Sequence, residues 1–254
     1  MSLIADIAIV LRRLDYSETS QVLVLMTREG GQQRVIARGV KRSTKSKPSI
    51  GIDLLELGNV TFSRRPGKED VLATLTEWRQ LDTFPGLRRD LIKLYAAQYA
   101  AEVTSQLTEV HDPHPALFDA LRDLLTTVGA TTPNDEKPVV ALSRFLWRLL
   151  TEIGLRPELT RCMNCSRGME GDKLIYFSSR AGGAICRDCE PAAIEKRRVA
   201  PASLAWLTGD CSGNSPDVRP IFDLLDYHLG HTMGRPARLS EPMKELMKPR
   251  SLQH

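Results

Sequence analysis

The strongest constraint in this chain is a pair of Cys-x2-Cys turns. Cys162-Met163-Asn164-Cys165 and Cys186-Arg187-Asp188-Cys189 are separated by twenty residues. Each turn sets two thiols on one side of a tight loop, and two such turns can complete a tetrahedron of thiolates around Zn²⁺. Between them Leu174-Ile175-Tyr176-Phe177 reads as a strand. Gly182-Gly183-Ala184-Ile185 leads back to the second pair, with glycines that let the chain turn close to a metal. The pattern predicts a zinc ribbon over about residues 158–193. A thioredoxin-type redox pair would want one such turn in a βαβ setting, and neither that setting nor an iron–sulfur one is present. Four thiolates fill the coordination shell, so one structural Zn²⁺ is expected rather than a catalytic one. Cys211 stands outside the set and is expected as a buried or half-buried thiol.

Five cysteines in 254 residues exclude a disulfide scaffold, and 42% hydrophobic with 26% charged residues is ordinary globular composition. The first residues, Met1-Ser2-Leu3-Ile4-Ala5-Asp6, have no basic region and no uninterrupted apolar run, so no secretory signal is expected. No stretch approaches the length of a membrane span. The expected compartment is the cytoplasm, with reduced thiols.

Residues 1–80 read as β. Ile7, Ile9 and Leu11 alternate with Ala8 and Val10, and further runs lie at Val22–Met26, Arg34–Val40, Val60–Phe62 and Val71–Trp78. Turn residues separate them at Tyr16-Ser17-Glu18, Glu29-Gly30-Gly31 and Arg65-Pro66-Gly67-Lys68. Five strands with one long loop after the third suit a small closed or partly open barrel, although another five-stranded topology has the same count. The period then changes to three and four. It predicts helices through Ile92–Leu107, Leu117–Val128 and Val139–Ile153, the last ended by Gly154. Helical spacing returns at Ile221, Leu225 and Leu229 and near Met243–Met247. The class is α+β, with residues 1–80 as the β domain and 81–254 as a helical domain interrupted by the ribbon.

The net charge of +4 hides a local asymmetry. Gly30 to Ile52 carries Arg34, Arg38, Lys41, Arg42, Lys45 and Lys47 and no acid. A one-signed window attracts polyanions, whereas a solvated loop usually mixes signs. Arg34 and Arg38 are expected on one strand face, with the lysines extending that surface into a loop. Arg64, Arg65 and Lys68 are expected to crown the next hairpin, and Tyr16, Phe62 and Trp78 are possible stacking residues of which two should be core. His228 and His231 stand three apart on a helix and read as surface or core-edge residues. No Walker loop, dinucleotide fingerprint, zinc-protease motif or nucleophile elbow occurs, so an enzyme is not expected.

These residues resemble a family, the bacterial recombination mediator RecO. The likeness lies in Ile9-Val10-Leu11 followed by Tyr16-Ser17-Glu18-Thr19-Ser20, then Leu23-Val24-Leu25-Met26-Thr27-Arg28-Glu29-Gly30-Gly31. It continues through Ala37-Arg38-Gly39-Val40-Lys41-Arg42 with Lys45-Ser46-Lys47, the two cysteine pairs, Tyr227-His228-Leu229-Gly230 and Leu239-Ser240. Asp53-Leu54-Leu55-Glu56-Leu57 departs from the Gln-Pro-aromatic turn frequent in the family. The resemblance implies an N-terminal OB-fold, a helical bundle and a zinc ribbon. It implies binding of single- and double-stranded DNA, strand annealing and loading of recombinase onto DNA coated by single-strand binding protein. The implied partners are RecR and the acidic C-terminal tail of that binding protein, and the implied location is the nucleoid. Arg144 and Arg148, one helical turn apart, are the candidates for the tail, against an ordinary role as solvated helix arginines. The alternative reading is a zinc-ribbon adaptor in a repair complex whose DNA contact is incidental.

Overall fold

The computed structural model describes residues 2–42, 51–64, 72–132, 137–169, 171, 174–209, 211 and 217–248. Strands β1 (Ser2–Asp15), β2 (Gln21–Thr27), β3 (Gly31–Ala37), β4 (Leu57–Arg64) and β5 (Ala73–Asp82) close into a barrel in the order β1-β2-β3-β5-β4. This is the OB-type barrel, and it resolves the topology that strand count leaves open. β1 is long enough to pair with β2 along its second half and with β4 along its first. A register shift between Val10 and Arg12 bends it as it passes from one partner to the other. Closure comes from a short parallel seam, Val35 with Ala73 and Ile36 with Thr74.

Alternation decides what fills the barrel. Ala8, Val10, Leu23, Leu25, Val35, Ala37, Val60 and Phe62 all point inward and are buried. Helix α1 (Leu91–Leu107) packs against β1, and α2 (Pro115–Ala130) packs against α1 and the 3₁₀ turn Pro85–Arg89. Asp90 caps α1 by accepting from the Ile92 N–H at 3.1 Å. By packing, the barrel and these two helices form one compact unit, Met1–Ala130, and Thr131–His254 forms the other.

The second unit holds α3 (Lys137–Glu152), the sheet β7-β6-β8, and helices α4 (Pro201–Thr208), α5 (Val218–Thr232) and α6 (Ser240–Leu246). Its strands are β6 (Ile175–Ser178), β7 (Gly183–Cys186) and β8 (Arg197–Val199). Gly154 at φ 74° ends α3, and the Leu155 N–H returns to the Leu150 carbonyl at 2.8 Å. α3 packs on α5, and α4 and α6 also lie against α5. β8 and α4 leave no clear mark in the sequence. β8 has only three residues, two of them exposed arginines, and α4 is too short to display a period.

One turn fixes the barrel's second hairpin to the linker between α1 and α2. Gly31 sits at φ 67°, and a Cβ there would lie 2.0 Å from the Asp112 carbonyl oxygen. The same linker pairs with β3 through Gln32 and Val110, and the His111 N–H donates to the Gln32 carbonyl at 3.0 Å. Gly31→Ala is therefore expected to destabilise the barrel unit by about 2–3 kcal/mol, as for a strained backbone position with an added clash. Urea unfolding followed by circular dichroism checks this; an unchanged midpoint would contradict the close approach.

Candidate metal centre and nucleic-acid interface

The two cysteine turns meet as the spacing requires. Cys162, Cys165, Cys186 and Cys189 bring their sulfurs within 4.8 Å of one another, and Cys165 and Cys186 sulfurs are 3.8 Å apart. A tetrahedron with Zn–S bonds of about 2.3 Å has edges of about 3.8 Å, so the cage fits the ion with little adjustment. Local backbone geometry builds the cage. In the first turn the Ser166 N–H donates to the Cys162 carbonyl at 2.8 Å, and Ser166 closes the turn at φ 60°. In the second, the Cys189 N–H donates to the Cys186 carbonyl at 3.2 Å. The Met163 N–H donates to the Ala184 carbonyl at 2.8 Å and ties the first turn to β7. Gly183 is required where it stands, because a Cβ would lie 2.1 Å from the Glu158 carbonyl oxygen.

The thiols are electrostatically prepared. Burial alone would raise the Cys162 thiol, but N–H groups of Cys186, Cys165 and Asn164 aim at its sulfur and hold it at about 6. The Cys186 N–H lies 3.3 Å from that sulfur. Cys186 is also lowered: burial works against ionisation, and the Cys189 backbone and side chain outweigh it. Cys189 is pushed up to about 12 by its contacts with Cys186 and Cys165. Four neighbouring sulfurs cannot all ionise side by side, and a divalent cation is what would balance them. Cys211 lies apart, buried at φ 58° after α4, as expected of the fifth cysteine.

The ribbon's hairpin turn is fastened to the helices. His228 on α5 is buried, and burial holds its imidazole below the ordinary range. As the neutral ring it donates from Nε2 to the Leu155 carbonyl at 3.2 Å and accepts at Nδ1 from the Ser179 hydroxyl at 2.8 Å. His228 is thus a core residue, whereas His231 is exposed.

The basic residues distribute differently from expectation. Arg34 is exposed in the middle of β3. Arg38 is not on that strand face, since β3 ends at Ala37 and Arg38 begins a turn through Gly39 at φ 69°. The turn forms because the Arg42 N–H bonds the Gly39 carbonyl at 3.0 Å and the Lys41 N–H bonds the Thr19 carbonyl at 3.1 Å. Arg38 and Arg42 are exposed there, and Lys41 pairs with Asp15 at 3.0 Å. Lys45, Lys47, Arg65 and Lys68 lie outside the described residues. Arg64 does not crown a hairpin freely. Its guanidinium bonds Gln33 and, at 3.2 Å, His111 Nδ1, and it lies 5.9 Å from the Phe62 ring centroid. Phe62 is buried, Trp78 packs half-buried on the barrel core and Tyr16 is exposed, so two of the three aromatics belong to the core.

Register reveals an arginine that no sequence pattern singles out. Val24 on β2 pairs with Arg12 on β1 and with Arg34 on β3. Directly paired residues share a face, so Arg12 and Arg34 flank Val24 on the outside of the barrel. The next outward row joins Leu14, Val22 and Ile36. Leu14 is 66% exposed, as is Tyr16 beyond it. The outer face of β1-β2-β3 therefore carries one row that is basic on both sides of Val24 and a neighbouring row that is apolar throughout. The signal available in sequence is the alternation of Arg12 and Leu14 with Leu11 and Arg13, which the register shift interrupts.

Arg144 and Arg148 are both exposed on α3 but are engaged. Arg144 donates from Nε to the Cys211 carbonyl at 3.1 Å and lies 5.7 Å over the Trp206 ring, bracing the chain after α4. Arg148 faces Glu152 at 3.8 Å.

Comparison with known proteins agrees with this architecture. Residues 1–84 match the family model described as Recombination protein O N terminal, and residues 88–240 match Recombination protein O C terminal. A DNA repair protein RecO of Rhodopirellula baltica is 35% identical over 188 residues, which cover 73% of this chain and 66% of that protein. The RecO of Anaeromyxobacter dehalogenans is 32% identical over 237 residues, 89% of this chain and 90% of that protein. The RecO of Bacillus pumilus is 32% identical over 205 residues, 81% and 75% of the two chains. Among the described residues no helix is long and apolar enough to cross a membrane. A five-stranded barrel, a four-thiol ribbon set among helices and matches along both halves converge on one assignment: the chain belongs to the RecO family of DNA repair proteins.

Proposed function

We propose that this chain binds single- and double-stranded DNA on the barrel, anneals complementary strands and helps load recombinase onto DNA coated by single-strand binding protein. The observation that carries the reading is the outer face of β1-β2-β3, where Arg12 and Arg34 flank Val24 and Leu14 and Tyr16 are exposed. Cations that follow phosphates beside flat or apolar surface are what a sequence-tolerant strand site needs. Arg38 and Arg42 prolong the cationic surface in the adjoining turn, and the one-signed window adds Lys41, Lys45 and Lys47 by sequence. RecR and the acidic tail of single-strand binding protein are the partners of this reading, and the activity is non-enzymatic. Of the two arginines weighed for the tail, Arg148 is the more available, since Arg144 braces Cys211.

The four thiolates would hold one Zn²⁺, which supplies a cross-link between the two turns when bound. The chain's own residues do the rest. The backbone N–H groups keep Cys162 ionised, and Gly183 lets β7 lie against Glu158. A thiol lowered from 9.0 to about 6 favours the folded ribbon fully above pH 9, and that contribution is lost as pH falls through 6.

In a fluorescence titration with labelled oligonucleotides, Arg12→Glu with Arg34→Glu should weaken binding. It should also reduce the slope of log affinity against log salt by about 0.7 for each phosphate left without its cation. An unchanged slope would remove this face from the interface, and no binding by wild type would end the DNA reading. Elemental analysis should find one zinc per chain. Release followed with a chromogenic chelator should accelerate as pH falls, because protons compete with the metal for the thiolates, and in Gly183→Ala. Cys162→Ser should lose the metal and amide-exchange protection in the ribbon while barrel affinity for DNA holds; a chain purified under reducing conditions without zinc would refute the centre.

A further inference from the structure

A cavity of about 380 Å³ opens in the C-terminal unit between β8, the end of α5 and α6. Its volume is at the lower end of the range for small-ligand sites, enough for one nucleotide unit rather than an extended strand. The cavity is lined by groups of both signs. Asp226 is buried, accepts from the Ser240 hydroxyl at 2.5 Å and pairs with Lys244 at 2.8 Å, while Glu241 reaches the same lysine at 3.3 Å. Those two carboxylates are both engaged by Lys244. Arg197 and Arg235 have no carboxylate at ion-pair distance among the described residues, although Asp223 beside the cavity acts electrostatically on Arg197 and Lys244. The lining therefore holds three permanent cations and two acids, and Arg235 carries the excess.

Arg197 also stands beside aromatic surface. Its guanidinium lies 4.1 Å from the Tyr227 ring centroid. The exposed His231 ring meets Tyr227 edge-on at 4.5 Å. An exposed imidazole braced by a phenol is a surface of the kind that takes a base, and a guanidinium laid over a ring keeps N–H donors at its edge for a phosphate. Gly234 at φ 70° turns the chain after α5 so that Arg235 lines the same cavity. None of these groups is a zinc ligand, and the barrel face does not use them.

We propose that this cavity is a second nucleic-acid subsite, taking one nucleotide of a strand with its phosphate at Arg197 and Arg235 and its base on the Tyr227–His231 platform. An acidic peptide fits less well, because its row of carboxylates would meet Asp226 and Glu241 in the same cavity, whereas a single phosphate needs only the two arginines. The proposal rests on the reading of the chain as a DNA-binding protein. It adds that the C-terminal unit holds a strand site of its own, so that each compact unit can engage DNA.

The test is photo-crosslinking of the full chain to an oligothymidine carrying 5-iododeoxyuridine, with crosslinked peptides mapped by mass spectrometry. Crosslinks at Tyr227 or His231 are expected. Arg235→Glu, at an exposed position, should lower their yield about tenfold, as exchanging attraction for repulsion at one phosphate would, and Arg235→Lys should restore most of it. Crosslinks confined to the barrel would overturn this subsite and leave the DNA reading standing. Crosslinks at the cavity with none on the barrel would support the subsite and overturn the barrel reading. Crosslinks at the cavity that Arg235→Glu leaves unchanged would overturn the phosphate assignment, and so would a polyglutamate peptide that abolishes them while oligonucleotide fails to displace the peptide.

Discussion

The barrel depends on a parallel seam between its third and fifth strands. Among the described residues Val35 pairs with Ala73 and Ile36 with Thr74, and this pairing turns an open sheet into a closed one. Closure removes the free strand edges that would otherwise invite aggregation. It also fixes which residues face out, since alternation is referred to an interior that now exists. The outward row of Arg12, Val24 and Arg34 follows from that, as does the inward burial of Val35 and Ala73. The β3–β4 connection, rich in basic residues, leaves β3 directly after this seam.

Sequence is most informative where covalent spacing or period does the work. The cysteine pairs announce their cage because two short turns leave few ways to arrange four sulfurs. The helices α1, α2, α3 and α5 announce themselves by the apolar spacing that packing uses. Sequence is weaker where a single backbone angle decides. Gly39 takes the chain out of β3 after Ala37, so Arg38, which continues the alternation on paper, points from a turn instead. Arg64 reads as a surface cation, but Gln33, His111 and Phe62 surround it. Phe62 is its neighbour on β4, but Gln33 and His111 come from two other stretches of chain, and no local pattern links them to Arg64. Arg12 is hidden by the opposite effect, a register shift that breaks alternation just before it.

Charge is used in two distinct ways in this molecule. Some cations are held by structure, as Lys244 is by Asp226, Arg28 by Asp119 and Arg144 by the Cys211 carbonyl. Others, Arg12 and Arg34 on the barrel and Arg197 and Arg235 in the C-terminal unit, have no carboxylate at ion-pair distance among the described residues. The net charge of +4 cannot tell these classes apart. Screening by salt acts far more on the second class than on the first, so solution conditions tune recognition while leaving the fold largely untouched.

His228 gives the ribbon an attachment independent of its sulfurs. The hairpin turn at Ser179 lies at one end of β6 and β7, and the cysteines of the second turn lie at the other. The module is consequently pinned twice, once by its own cage and once by an imidazole that belongs to α5 and also grips the chain leaving α3. Stripping the cage would leave a tethered flap instead of a released one. A flap hinged at Ser179 keeps its place in the unit, so re-forming the cage becomes a local search over a few residues rather than a refolding of the whole half.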